Sequence, residues 1–314
     1  MKFINPSVEI WEQDVTTPET LVEAMWAHIA RCVRVCYQVD KPKNNETEEE
    51  YVKRVIFRNP EERLANHYSV LEHGAVYFSI EFPDEIDGDT VDDELYELSN
   101  ILLSRNKFSK VKKEDTEFTH IWHISTNFRV LVERDIVWAL KYAVPFNPKW
   151  HTRRVTVSFI TNIGVTREAN RHRVDSPSEE STRCCNYSQG RFGNNIAYTV
   201  PPELDKHELE MLSTSYVIPV MSPSKCNQPI LVFLSALRYA ELCYLQLLKL
   251  GWGTDQARRV LNLNTKSQLI HTAFVDNWKD FLKLRADGIS GSVHPDMLEV
   301  AKPLKEEFIN RKYI

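Results

Sequence analysis

The sequence has no uninterrupted apolar run of about 18 residues, the length a helix needs to cross a bilayer, although 42% of its 314 residues are hydrophobic. Its opening, MKFINPSVEIWEQD, lacks a basic segment followed by an apolar one, so the expected location is the cytoplasm, away from membranes. Cysteine is too sparse for a disulfide framework. The six present, with Cys32 near Cys36 and Cys184 beside Cys185, are expected to be reduced thiols. No Cys/His set has metal-ligand spacing, and the acidic segment 83–94 lacks the Asp-x-Asp-x-Asp-Gly order of a cation loop, so no metal is expected. Positive charge is not in excess: 39 Lys and Arg against 44 Asp and Glu leave a net charge of −5, which argues against a protein that chiefly coats nucleic acid. Repeats and low-complexity tracts are missing too, and with 26% charged residues the composition is globular.

What is present reads as a mixed chain. Residues 17–38 open on Thr-Pro-Glu and then place Leu21, Met25, Ile29 and Val33 at helical spacing, which predicts an amphipathic helix. A polar loop (39–50) and a charged helix over 46–64, stopped or interrupted by Pro60, follow. The alternation of Val76, Phe78, Ile80 and Phe82 predicts a half-buried strand over 74–82, and PDEIDGDTVDDE at 83–94 reads as a solvated loop. Residues 95–143 read as mostly helical, with two surface helices in LYELSNILLS and NFRVLVERDIVWALKYA. A β-branched strand at 153–162 should end at Gly164, ahead of a helix through 166–173. A loop and short strand (193–201), a strong apolar helix (229–250), a shorter one (254–261) and helices at 272–285 and 295–310 complete the reading. The fold class expected is α+β: helices packed on a small, mostly antiparallel sheet, one domain over 1–314 with an insertion at about 83–150.

The chemistry concentrates in TREANRHRVDSPSEESTRCCNY, residues 166–187. Arg167, Arg171, His172, Arg173 and Arg183 stand beside Glu168, Glu179 and Glu180, with hydroxyls at Ser176, Ser178, Ser181 and Thr182. Guanidinium forks, hydroxyls and backbone amides are the groups that hold phosphate, while a carboxylate among them can accept from a sugar or a base. A solvated, salt-bridged surface has the same composition. Ser181 has no histidine at a base-like spacing and is read as a phosphate-binding hydroxyl rather than a nucleophile. Cys36 is read as a packed thiol, Cys184 and Cys185 as structural thiols rather than nucleophiles, and His67 and His73 as packing residues or site residues.

The order Arg171-His172-Arg173, seven residues, Ser181, one residue, Arg183 resembles the signature of flavin-dependent thymidylate synthases. HYSVLEHGAVYFSI (67–80) is similar to that family's His-x-[Ser/Thr]-x-x-Glu-His segment. ARRVL (257–261) and FLKLR (281–285) resemble two later motifs, and VHPDM (293–297) the ending of a bacterial and phage branch. The resemblance implies that Ser69, Arg171, His172, Arg173 and Glu179 contact FAD. It implies that Glu168, Arg171, Glu179, Ser181, Thr182, Arg183, Arg258 and Arg285 hold deoxyuridine monophosphate (dUMP), with Arg285 the catalytic cation facing the uracil. It further implies methylenetetrahydrofolate and NADPH as co-substrates, dTMP as product, and a homotetramer with sites between subunits. Cys184 stands where the family has Tyr, Asn262 where it has Pro, and Phe274 and Asp276 where it has a flavin-contacting Asn and Arg; residues 286–292 are longer than the family's loop. These departures motivate an alternative reading, a degenerate member that binds nucleotide or flavin without turnover. A phosphate-binding nucleic-acid module is a second rival, which the net charge opposes.

Overall fold

A computed structural model describes residues 1–13, 15, 17–38, 45–57, 67–83, 93–103, 107–115, 119–215 and 226–314. In chain order the elements are β1 (Lys2–Ile4), β2 (Ser7–Trp11), α1 (Leu21–Tyr37), α2 (Glu48–Ile56), β3 (Ala75–Pro83), α3 (Asp93–Leu103), β4 (Lys110–Asp115), β5 (Thr119–Asn127) and α4 (Phe128–Glu133). After them come β6 (Arg154–Asn162), α5 (Ile163–Ala169), β7 (Ser176–Glu179), β8 (Ala197–Thr199), α6 (Lys206–Ser215), α7 (Pro229–Lys249), α8 (Thr254–Ala257), β9 (Lys266–Phe274), α9 (Val275–Arg285) and α10 (Pro295–Asn310). The chain is α+β, as expected. Its sheets are β2-β6-β9-β7 and β3-β5-β4, both antiparallel, and a parallel pair β1-β8.

The β-branched run of β6 forms the centre of the first sheet, where its nine residues pair with all of β9, from Arg154 opposite Phe274 to Asn162 opposite Lys266. One face packs Val155, Val157, Phe159 and Leu269 against Trp278, Phe281 and Leu282 of α9 and Met297, Val300 and Leu304 of α10. The Trp278 indole N–H donates to the Val155 carbonyl at 3.0 Å, which fixes α9 along the sheet. The other face meets α1. That helix is buried on two sides: Met25, Ile29 and Val33 face the core shared with β3, β5 and α2, and Cys32 and Val35 face Trp11 and Ile270. Gly74 permits the close approach of β3, since a Cβ there would lie 2.6 Å from Ile29 Cδ1.

Several expected elements differ. Residues 110–115 and 119–127 are strands rather than part of a helical region; β4 is a lysine-bearing edge strand whose polarity imitates a loop. The helix expected over 127–143 is α4 followed by a 3-10 turn at Val137–Tyr142, because the chain reverses at Asp135 with φ of 58°. Leu98 and Leu102 of α3 are buried, so that helix is not a surface one. β3 is buried on both faces from Ala75 to Phe78, because Phe146 and His151 cover Tyr77. Gly164 does not end β6: Asn162 caps α5 by accepting from the Val165 N–H at 2.9 Å, and the helix stops at Ala169. Residues 272–274 belong to β9, with α9 beginning at Val275. Pro60 and residues 84–92 of the acidic segment lie outside the described residues. α7 is long and apolar enough, by length and composition alone, to cross a membrane; its Leu234, Leu237, Glu241 and Tyr244 are buried in the fold, and Glu241 accepts from the Ile196 N–H at 3.0 Å.

On the α1 side of the first sheet a buried polar seam runs between elements. His28 Nε2 bonds Thr156 Oγ1 (2.8 Å), Thr156 bonds its cross-strand partner Thr272 (2.7 Å), Thr272 bonds His73 Nδ1 (2.7 Å), and His73 Nε2 bonds Ser178 Oγ (2.8 Å). Burial pushes the pKa of His28 down to about 4 and that of His73 well below its ordinary value. Both imidazoles are therefore neutral in the fold, whereas in the unfolded chain each takes up a proton near pH 6.5. Their contribution to stability is complete above pH 6.5 and is lost as the pH falls from there toward 4, at up to about 1.4 kcal/mol per pH unit for each histidine. Urea unfolding across that window checks this: His28→Gln should flatten the profile, and a wild-type profile already flat would show the histidines charged in the fold.

Candidate active site

The segment after β6 builds the site in two arms. α5 ends at Ala169 with Asn170 as its C-cap, and the chain turns through residues 170–175 on hydrogen bonds from Arg171 N to Glu168 O (3.2 Å), His172 N to Ala169 O (3.1 Å) and Asp175 N to His172 O (3.2 Å). The turn leaves Arg171 and Arg173 exposed and sends His172 inward onto the Phe281 ring, 4.7 Å between centroids. Arg285, the last residue of α9, reaches the same place: its guanidinium donates to His172 Nε2 at 3.3 Å, to the Glu168 carbonyl at 3.1 Å and to Glu168 Oε2 at 3.4 Å. His172 thus accepts through Nε2 and is neutral. Burial first, then the Arg285 charge, hold its pKa below the ordinary value against the opposing pull of Asp175.

The second arm begins at β7, the edge strand on β9. Glu179 accepts from Ser267 Oγ at 2.8 Å and from Asn170 Nδ2 at 3.4 Å. Its neighbour Glu180 is buried, paired with Lys266 and accepting from the Tyr187 hydroxyl at 3.2 Å. The Ser181 N–H donates to the Cys36 carbonyl at 3.0 Å, which ties this loop to the end of α1. Arg258, just after α8, donates to Thr182 Oγ1 at 3.3 Å. The structure therefore brings Glu168, His172 and Arg285 together, and separately Thr182 and Arg258, with Asn170 and Glu179 spanning the arms. Among the described residues, Arg171, Arg173 and Arg183 make no side-chain hydrogen bond or ion pair. Exposed guanidinium groups without a carboxylate partner suit an anion.

Ser69 is exposed on a 3-10 turn, Tyr68–His73, that packs on β7. His73 in the same turn is buried in the polar seam. The Cys36 thiol, hydrogen-bonded to Ser178, is pushed up to about 11 by burial and stays protonated, in keeping with a packed thiol. All six cysteines are free. A cleft of about 490 Å³ lined by Arg167, Glu168, Asn264 and His294 touches this region at Glu168, whereas Arg171, Arg183 and Arg258 lie on open surface outside it.

At the departures from the family pattern, Phe274 is 2% exposed and Asp276 pairs with Lys110 of β4 at 2.8 Å. The Lys110 hydrogen bond holds the Asp276 carboxyl below its ordinary pKa, and the same ammonium lies 4.9 Å from the centre of the Phe274 ring. Nearby, Lys107 donates to the Arg173 carbonyl at 3.0 Å. Asn170, adjacent to the signature, was within reach of the sequence reading; Lys107 and Lys110 were not, since only the sheet pairing of β4 brings them here.

Uncompensated arginines beside a cation anchored at two helix ends are suited to an anionic small molecule. Residues 151–310 match the family described as thymidylate synthase complementing protein, and the chain belongs to that family of methyltransferase-type thymidylate synthases. Two structures of the UMP/dUMP methylase PolB from Streptomyces cacaoi are similar. The one bound with 5-Br UMP shares 24% identity at a TM-score of 0.38, covering 50% of this chain and 69% of that one. The one bound with 5-Br dUMP shares 21% at 0.36, covering 50% and 67%. No curated protein matches the sequence.

The contact between Arg285 and His172 is open to direct measurement. In an NMR titration of the ring, the His172 midpoint should lie below 6.5 and should move upward in Arg285→Ala, because a repelling charge is removed. An unmoved midpoint would separate the two side chains.

Proposed function

We propose that the protein carries out the reductive methylation of dUMP to dTMP, with methylenetetrahydrofolate as carbon donor, NADPH as electron source and FAD as cofactor. The observation that carries this reading is the convergence of Arg285, His172 and Glu168 from α9 and α5 beside guanidinium groups with no internal partner. Arg183, Ser181, Thr182 and Arg258 would hold the nucleotide phosphate and sugar, with Glu168, Arg171 and Glu179 as further contacts. Arg285 would face the uracil. Negative charge spreads onto the pyrimidine as its C5 becomes nucleophilic, and a cation already fixed by three contacts stabilises that charge without reorganising.

FAD, when bound, supplies hydride transfer, the part of the chemistry that side chains cannot provide. The residues fit it in part. Arg171 and Arg173 are exposed and uncompensated, as phosphate ligands should be, and His172, Ser69 and Glu179 complete the proposed set. Phe274 is packed in the core and cannot touch a cofactor, while Asp276 is neutralised by Lys110. The adenine end would therefore be held by groups other than those at 274 and 276.

We also read the chain as a cytoplasmic homotetramer, with residues 83–150 an insertion into one domain. The split site on open surface supports the tetramer, as do the exposed Tyr239 (56%) and Leu242 (45%) of α7, an apolar helix with one face uncovered.

Arg285→Ala should abolish dTMP formation while leaving the thermal unfolding midpoint and circular dichroism unchanged; a fully active variant would remove the role given to that residue. Arg183→Ala should weaken dUMP binding about tenfold, the loss expected for one charge-assisted contact, and unchanged affinity would reject the phosphate assignment. A flavin absorption spectrum perturbed by dUMP would place both ligands in one site. A chain that takes up dUMP or FAD yet releases no dTMP would favour the degenerate reading.

A further inference from the structure

Behind Glu179 lies a buried pair outside the proposed roles. Asp175 is 4% exposed and neither carboxylate oxygen has a hydrogen-bond partner among the described residues, although Oδ2 lies 3.4 Å from Nδ1 of His271, itself fully buried. The other ring nitrogen, Nε2, is 3.0 Å from Asn170 Oδ1, and Asn170 Nδ2 points at Glu179 Oε2. Among the described residues, the remaining charged and titratable groups acting on this pair are His172, His73 and Arg154. Phe159 and Trp278 close it off on the core side, their ring centres 6.2 and 6.3 Å from that of His271.

Chemistry fixes the protons along this line. The Glu179 carboxylate can only accept, so the amide atom facing it is Asn170 Nδ2, and Asn170 therefore offers its carbonyl oxygen to His271. His271 Nε2 must then carry a proton. Its Nδ1 lies 3.4 Å from Asp175 Oδ2 with no hydrogen bond between them, so a second proton on the ring would give the orphaned carboxylate a counter-ion. A ring in that position is satisfied as imidazolium, with Asp175 as its buried counter-ion.

We propose that Asp175 and His271 form a buried carboxylate–imidazolium pair that acts as a positioning device: it locks the amide of Asn170, and through it the carboxylate of Glu179, in the orientation the nucleotide and flavin meet. Neither residue touches ligand. If His271 lost the Nε2 proton, Asn170 would turn its amide toward the ring and present its oxygen to Glu179, placing two acceptors face to face and turning the carboxylate out of place. The role of Glu179 rests on the proposed function; the protonation of His271 does not.

The experiment has two readouts on the full-length protein. Ring nitrogen NMR of protein labelled with nitrogen-15 histidine, with the His271 signals assigned by their loss in His271→Gln, should show both nitrogens of His271 protonated at neutral pH. In Asp175→Asn the ring should be neutral. A neutral His271 in the wild type overturns the pair. In dUMP titrations, His271→Leu and Asn170→Ala should each weaken binding about tenfold, and the double variant should be no weaker than either, since both cut one line of contacts. Additive losses, or none, overturn the positioning role. Asn170 is on the surface side of the line, so its variant remains informative if His271→Leu fails to fold, and His271→Gln, which keeps a donor amide, should recover most of the affinity. Wild-type protein that binds no dUMP would count against the proposed function, while the nitrogen signals would still decide the pair.

Discussion

The antiparallel pairing of β6 with β9 is the constraint on which the candidate site depends. The two strands run in opposite directions over the same nine residues, so α5 leaves at one end of the pair and α9 at the other. For their functional residues to meet, one helix must run back along the sheet. α9 does this: at about 1.5 Å per residue its eleven residues cover roughly 16 Å, half the length of β9, with the Trp278 bond to Val155 holding it on the strand below. Arg285 thereby arrives at the end of α5, 117 residues away in sequence from Glu168. A shift of one residue in the register would turn Thr156 and Thr272 from the α1 side to the α9 side and break the polar seam, so the hydrogen bonds and the apolar face enforce the same alignment.

That seam also explains why the site's edge strand is so short. β7 pairs with β9 over four residues, too few to be rigid on hydrogen bonds between strands alone. Ser178 is anchored through His73 to Thr272, and Glu180 through Lys266 and Tyr187, so alternate side chains of the strand and its continuation are held from inside. What remains for the outward side is Glu179 and the loop bearing Ser181, Thr182 and Arg183. Neutral histidines suit this task, because each ring supplies a donor and an acceptor to hydroxyls that can adopt either role, without placing a charge in the core.

The elements legible in the sequence were those whose periodicity was undisturbed: α1, β3, β6, α7 and α10, the last beginning at Pro295 as expected. β9 was hidden because its second half, LIHTAF, runs directly into α9 with no Gly or Pro between them, and Phe274 gives no capping signal at the junction. β4 and β5 were hidden because the helical periodicity of the segments on either side was extended across 95–143, and the lysines of β4 and His120 and His123 of β5 give no clear strand alternation until the pairing of β5 with β3 and β4 is known. The signature residues were found because order within 166–187 is informative where composition is not. The contacts among those residues, such as Arg285 with His172 or Asn170 with Glu179, depend on the register of the sheet and leave no trace in local spacing.

Residue 276 shows how a charge unfavourable to an anion can be offset from another element. An aspartate in the first turn of α9 would, alone, repel any anion approaching the helix. Lys110 cancels it: the ammonium is 2.8 Å from the carboxylate and only 32% exposed, against 62% for its partner. The pair is neutral as a unit, so the local field is set by the uncompensated Arg171 and Arg173 and by Lys107 on the Arg173 carbonyl. β4 and the turn before it thus return to this surface two cations that α9 does not carry. The second sheet is in that sense part of the candidate site's electrostatics, through a strand that sends Lys110 across to Asp276 and the Phe274 ring.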